Sequence, residues 1–216
     1  MNIKMKITFV FFLPFILLLT TSITFYYCAS FAGPLQGYFY GFLFYWLFWC
    51  ILIPVLITGI RPVADLFKVR RPVLGIHKAR NIFFLLLPLV FVYAYEFPGA
   101  LKESNTIIIT YSLFLAVINA TAEEFLWRGM FFKLLGERSV LYILYSSFGF
   151  AIWHFAPQII FSNKHPGGAV SFVAFAFVLG LLFSIVVRDT GSILLTTIVH
   201  ILFDFGGLGA RLYFTK

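Results

Sequence analysis

The sequence predicts an all-α fold, a polytopic transmembrane helical bundle of about seven spans. Three observations carry that reading. Of the 216 residues, 62% are hydrophobic and only 11% charged, less than half the ~25% charge of an ordinary soluble domain. Mean hydropathy is +0.99, which leaves no way to shield the apolar surface from water. The apolar residues also fall in blocks long enough to cross ~30 Å of hydrocarbon, which takes ~20 residues of helix. A disordered chain needs the opposite composition, with low hydrophobicity and high charge.

The blocks run near 7–27, 38–60, 81–95, 106–135, 140–160, 169–187 and 191–209. The third is short and contains Pro88, so a kink or tilt is expected there. The fourth is too long for one perpendicular crossing, and a bend or an extra surface turn is expected within it. The first block follows Lys4 and Lys6 and ends near Cys28-Ala29-Ser30, a pattern that loosely resembles a signal peptide. Its apolar stretch exceeds the usual ~7–15 residues and further spans follow, so it reads as an uncleaved helix. We expect one membrane domain over 1–216, with the motif-bearing core at 106–210.

The net charge of +8 does not indicate nucleic acid, because the bases sit in short runs between apolar blocks. With the N-terminus inside, Lys4, Lys6, Arg61, Lys68, Arg70, Arg71, Lys78, Arg80, Lys133, Arg138 and Arg188 fall on the cytosolic side. Lys102, Lys164, Arg211 and Lys216 fall outside, a bias of eleven against four. An N-in, C-out topology follows if there are seven spans. The 61–80 loop is the one sizeable polar segment and reads as a solvated, headgroup-facing loop. Cys28 and Cys50 lie in apolar surroundings without ligand-like spacing and read as small hydrophobes.

Six ionisable residues fall inside apolar blocks: Glu123, Glu124, Arg128, His154, His200 and Asp204. Each costs roughly 2.5–3.5 kcal/mol at mid-bilayer, so they are expected to meet one another and to mark a functional site. Glu124 and Arg128 are four apart and share a helix face, as do His200 and Asp204. Glu123 is turned ~100° from Glu124, toward a different neighbour. At 1.5 Å per residue, Glu123 lies ~15 Å in from Lys133, His200 ~14 Å in from Gly191, and His154 ~22 Å in from Ser139. The first two depths agree; the third requires a tilt or a later helix start. Taken singly, the Glu124–Arg128 pair reads equally as a structural ion pair, His154 as a hydrogen-bonded interior histidine, and His200–Asp204 as an interhelical clasp. Trp127 and Trp153 read as packing or cavity lining, and His77 and His165 as loop residues.

The ordered motifs Glu123-Glu124-Phe125-Leu126-Trp127-Arg128, Phe150-Ala151-Ile152-Trp153-His154 and His200-Ile201-Leu202-Phe203-Asp204 resemble the CPBP family of CAAX proteases and bacteriocin-processing enzymes. That family includes the type II CAAX prenyl endopeptidases. The resemblance covers residues 116–207. It implies an intramembrane endopeptidase, located in a bacterial cell membrane, that acts on a membrane-associated protein or peptide. Carried over, Glu123 is the general base on a water, His154 assists it, and Arg128 braces the site through Glu124. The family's better-described members read HxxxN in the last motif, where His and Asn are thought to stabilise the oxyanion. Here Asp204 stands in that place, and an ionised Asp has no proton to donate. Asp204 is therefore expected to orient His200, leaving His200 as the donor.

No cofactor is required by this reading. Zinc is the alternative, because Glu123, His154 and His200 are the ligand types of some catalytic zinc sites, although no HExxH is present. Two other function classes compete. A proton-coupled transporter uses Glu/His/Asp chains, but the first half carries no matching acidic motif. A non-catalytic relative, of bacteriocin-immunity or scaffold type, would keep the fold and tolerate Glu123→Ala.

Overall fold

Seven helices long and apolar enough to cross a membrane order the computed structural model, which describes residues 2–136, 140–164 and 166–214. Arg138, Ser139, His165 and Lys216, used above in the charge, loop and depth readings, lie outside the described residues. The helices are α1 Ile3–Ala32, α2 Pro34–Thr58, α3 Lys78–Lys102, α4 Thr106–Leu135, α5 Val140–Ile159, α6 Gly168–Thr190 and α7 Leu194–Phe214. No strand occurs among the described residues. The fold class and the number of spans match the sequence reading.

The chain marks its own helix ends. Asn2 caps α1 by accepting from the Met5 N–H at 2.9 Å, and Asn105 caps α4 by accepting from Ile108 N–H at 2.9 Å. Between α1 and α2, Gly33 takes φ 91° and Pro34 starts the next helix, the arrangement expected of a helix-stopping Gly and a helix-starting Pro. The two helices then pack closely because Gly37 and Gly41 face Ala29 and Phe25, where any Cβ would overlap. Gly180 of α6 likewise lets the helix lie against Ser147 of α5, and Ser146 meets the Ser184 hydroxyl at 3.1 Å.

Several helices extend past their expected bounds. The first runs through Ala32 and buries Val10, Leu13, Leu17 and Phe25 completely. The third continues past Tyr95 to Lys102 through a π-helical turn at Val92–Glu96, where Phe91 packs on Phe175 at 5.5 Å and Tyr93 on Phe97 at 5.0 Å. The fourth is one 30-residue helix that contains a π-helical stretch, Glu124–Met130. The α-helical part of α5 ends at Trp153, and the chain turns to a short 3₁₀ segment, Pro157–Ile159.

One apolar core runs from Val10 in α1 through Tyr45, Trp49, Trp127, Phe131 and Phe150 to Ile193 at the start of α7. Outward-facing residues are apolar as well, for example Phe12, Leu56 and Val90 at 61%, 70% and 63% exposure. That inversion suits a lipid-facing surface. The basic 59–77 connection is tied down at one end of the bundle. Ser192 Oγ and the Ile193 N–H both donate to Leu66 O at 2.9 Å. Asp189 accepts from the His77 N–H and from Asn81 Nδ2, and pairs with Arg80 at 3.2 Å. In the same loop, the Lys68 ammonium 2.7 Å from Asp65 holds that carboxyl below its ordinary range.

Candidate active site

The site is built on one turn of α4 with help from α2, α5 and α7. Asn119, Glu123 and Glu124 occupy the segment where the α-helix gives way to the π-helical stretch, a local change of winding often found at functional sites. The two glutamates diverge there. Glu123 turns toward α2. Its Oε1 accepts from the Tyr45 hydroxyl at 3.1 Å, and its Oε2 accepts from Asn119 Nδ2 at 3.2 Å. Glu124 turns toward α7, accepting from Thr196 Oγ1 at 2.8 Å and facing His200 Nδ1 at 3.1 Å.

Each partner is itself held. Tyr45 stacks on Trp153 with ring centres 3.7 Å apart, and its oxygen accepts from Trp127 Nε1 at 2.9 Å. Asn119 Oδ1 accepts from Trp46 Nε1 at 2.8 Å, which fixes the amide so that its NH₂ points at the acids. That NH₂ also donates to Asp204 Oδ2 at 2.9 Å. One carboxamide thus joins two carboxylates on different helices.

His200 sits among three acids. Its Nδ1 faces Glu124, while Nε2 lies 3.5 Å from Glu123 Oε2 and 3.6 Å from Asp204 Oδ1. The last two are ion-pair separations, too long for strong hydrogen bonds. Asp204, expected from the sequence to orient His200, lies at the longer of these distances, and Glu124 makes the shorter contact. Two N–H groups on this ring would each have a carboxylate acceptor.

Behind it, Arg128 approaches Glu124 at 3.2 Å, and both side chains are 0% exposed. The contact is ionic, because no guanidinium nitrogen makes a well-directed hydrogen bond among the described residues. Instead the guanidinium lies over Phe150, 4.2 Å from the ring centre, and 5.6 Å from Phe183, a cation–π arrangement.

Phe150 connects the three motifs. Beyond Arg128, its ring meets His154 at 4.7 Å and His200 at 5.9 Å. Its carbonyl lies 2.7 Å from His154 Nδ1. A carbonyl only accepts, so Nδ1 carries the proton, and in the neutral ring this leaves Nε2 as the lone pair.

A cavity of about 260 Å³ lies in front of this assembly, lined by Glu123, His154, Asn119, Asp204, Trp153 and Gln158 among others. It has room for water, which occupies ~30 Å³ per molecule in the liquid. The six candidates thus divide. Glu123, His154 and Asp204 face the cavity, whereas Glu124 and Arg128 are fully buried behind it and His200 is 2% exposed. His154 makes no direct contact with Glu123 shown by the structure; the two share the chamber.

A zinc ion held by Glu123, His154 and His200 requires their lone pairs to converge within ~2.0–2.2 Å of one point. Among the described residues no three His, Cys, Asp or Glu side chains are so arranged. His200 has both nitrogens turned to carboxylates. The three residues as positioned do not fit a zinc site, and no step below runs through one.

Residues 105–206 match the family model described as type II CAAX prenyl endopeptidase Rce1-like. No curated protein and no solved structure matches the chain. The matched stretch contains α4 through most of α7, and with them all six candidate residues. The family supports a CAAX-protease-type function within the membrane in general terms.

Tyr45 and Trp46 lie outside the Rce1-like match, and sequence reasoning missed both, as it missed Asn119 and Thr196. Asn119 had a usable signal, since it stands four residues before Glu123 on the same helix face. Nothing in the aromatic run of α2 distinguishes Tyr45 from its neighbours. Trp127, read as packing, is also a hydrogen-bond donor to Tyr45.

Proposed function

We propose that the protein is an intramembrane endopeptidase that hydrolyses a peptide bond of a membrane-associated protein or peptide, with its N-terminus cytosolic. One observation carries the reading. A buried carboxylate, Glu123, is clamped by Tyr45 and Asn119 and faces a cavity with room for water that His154 also lines.

The roles follow from that geometry. A water in the cavity gives a proton to Glu123 while its oxygen attacks the carbonyl carbon of the substrate, and His154 Nε2 accepts a hydrogen bond from the remaining O–H. The tetrahedral intermediate carries its negative charge on the former carbonyl oxygen. Its collapse breaks the C–N bond, and Glu123 returns the proton to the departing amine. Asp204 accepts from Asn119 and has no proton to offer as an anion, so it serves His200 and Asn119 rather than the oxyanion. His200 screens the three acids from one another, and Arg128 keeps Glu124 charged and fixed.

Water activation in this reading belongs to the carboxylate, in keeping with the donor geometry. The reading is tested by comparing the membrane and secreted proteomes of cells carrying the wild-type protein or Glu123→Ala. A precursor that accumulates only in the variant supports it; identical proteomes at equal protein levels contradict it.

A further inference from the structure

The catalytic cavity adjoins a larger one of about 610 Å³, well within the range that takes organic ligands. The two share Tyr38, Phe42, Asn119, Asn163, Phe172 and Asp204 as walls. From mid-helix positions such as Trp46 and Phe91, the lining extends toward one end of the bundle. Tyr38 follows the start of α2, Ser171 the start of α6, Asn163 is in the connection before α6, and Gly209 and Tyr213 are near the end of α7. Asp204 and Asn119 form the deep end, nearest Glu123.

The opposite end is closed. Going from Glu123 along α4 away from the cavity, Trp127, Met130, Phe131 and Phe132 are all 0% exposed. Leu66 and Ile193, tied by a backbone hydrogen bond, are likewise 0% exposed beneath the basic loop.

Charge tells which end is which. Lys4, Lys6, the basic residues of 61–80, Lys133 and Arg188 lie at the closed end, and among the described residues only Lys102, Lys164 and Arg211 lie at the open end. Lysine and arginine accumulate on the cytosolic side of membrane proteins. The cavity walls are mostly aliphatic and aromatic, with Phe91, Leu115, Phe175 and Phe203 among them.

We propose that the site opens to the extracytoplasmic side and admits an extended, apolar segment of an exported protein or peptide. That such a segment is cleaved rests on the peptidase reading above; the side of access does not. Full-length protein with Cys28→Ser is made with Lys164→Cys, Gly209→Cys or Val69→Cys, and intact cells are treated with a membrane-impermeant maleimide. Gly209 lines the larger cavity, and a Cβ there meets open space. Val69 is 62% exposed in the basic loop.

Lys164→Cys and Gly209→Cys should react in intact cells, and Val69→Cys only after permeabilisation. The reverse pattern overturns the proposal. So does a Gly209→Cys that stays unreactive while Lys164→Cys reacts, since the mouth would then be shut. The substrate class is read from the cleavage sites that depend on Glu123. Sites in extracytoplasmic segments support it, and sites in cytosolic segments overturn it while leaving the peptidase reading intact. An absence of any such sites counts against the peptidase reading, with labelling still deciding the side of access.

Discussion

Asn119 on α4 donates a hydrogen bond to Asp204 on α7 at 2.9 Å, and the same amide reaches Glu123 one helical turn along. This link places the proposed base and the last motif in a fixed relation. It also supplies a neutral donor where three acids, Glu123, Glu124 and Asp204, crowd one histidine.

Asn119→Ala removes that donor and leaves two carboxylates with unpaired oxygens in a buried setting. An unmet hydrogen bond of this kind costs roughly 1–3 kcal/mol, or about tenfold to hundredfold in rate if it acts on the reaction. Turnover of a processed precursor should fall by that amount while protein levels hold. Asn119→Asp should be worse, because it adds a further negative charge.

Tyr45→Phe keeps the ring stack on Trp153 and deletes only the hydroxyl, which serves Glu123 as donor and Trp127 as acceptor. We expect kcat to drop by about ten- to a hundredfold with KM little changed, from the same loss of roughly 1–3 kcal/mol. A change confined to KM would instead assign Tyr45 to substrate binding.

Breaking the Glu124–Arg128 pair should harm the fold rather than chemistry alone. Removing one partner of a buried ion pair costs about 3–5 kcal/mol. Arg128→Ala is expected to lower the unfolding temperature in detergent and the steady-state amount of protein. An Arg128→Ala protein as stable as the wild type would remove the bracing role.

Water activation by Glu123 without a metal predicts that chelator leaves precursor cleavage unchanged in the purified protein. Zinc bound near one per chain, with its loss tracking the loss of activity, would reverse that assignment.

Much of the fold was legible in the sequence because span length acts through hydropathy, which is a local quantity. The Glu124–Arg128 pair was legible for the same reason, as an i, i+4 spacing on one helix. Other relations were not. That Glu124 serves Thr196 and His200 depends on how α4 meets α7, and that Tyr45 clamps Glu123 depends on how α2 meets α4. No periodicity within one helix encodes either. The π-helical stretch at Glu124–Met130 leaves no mark in composition. Counting residues from Ser139 put His154 deeper than its partners, requiring a tilt or a later helix start, yet it lines the same cavity as Glu123, near the C-terminal end of α5 where the helix gives way to a turn.

The central claim is that the Glu123 carboxylate does the proton transfer at a peptide bond. The most direct measurement is cleavage of the accumulated precursor by purified protein in lipid vesicles, wild type beside Glu123→Gln, with unfolding temperatures taken on both. The account predicts cleavage by the wild type and none by Glu123→Gln at an unchanged unfolding temperature. Undiminished cleavage by a well-folded Glu123→Gln protein would contradict it.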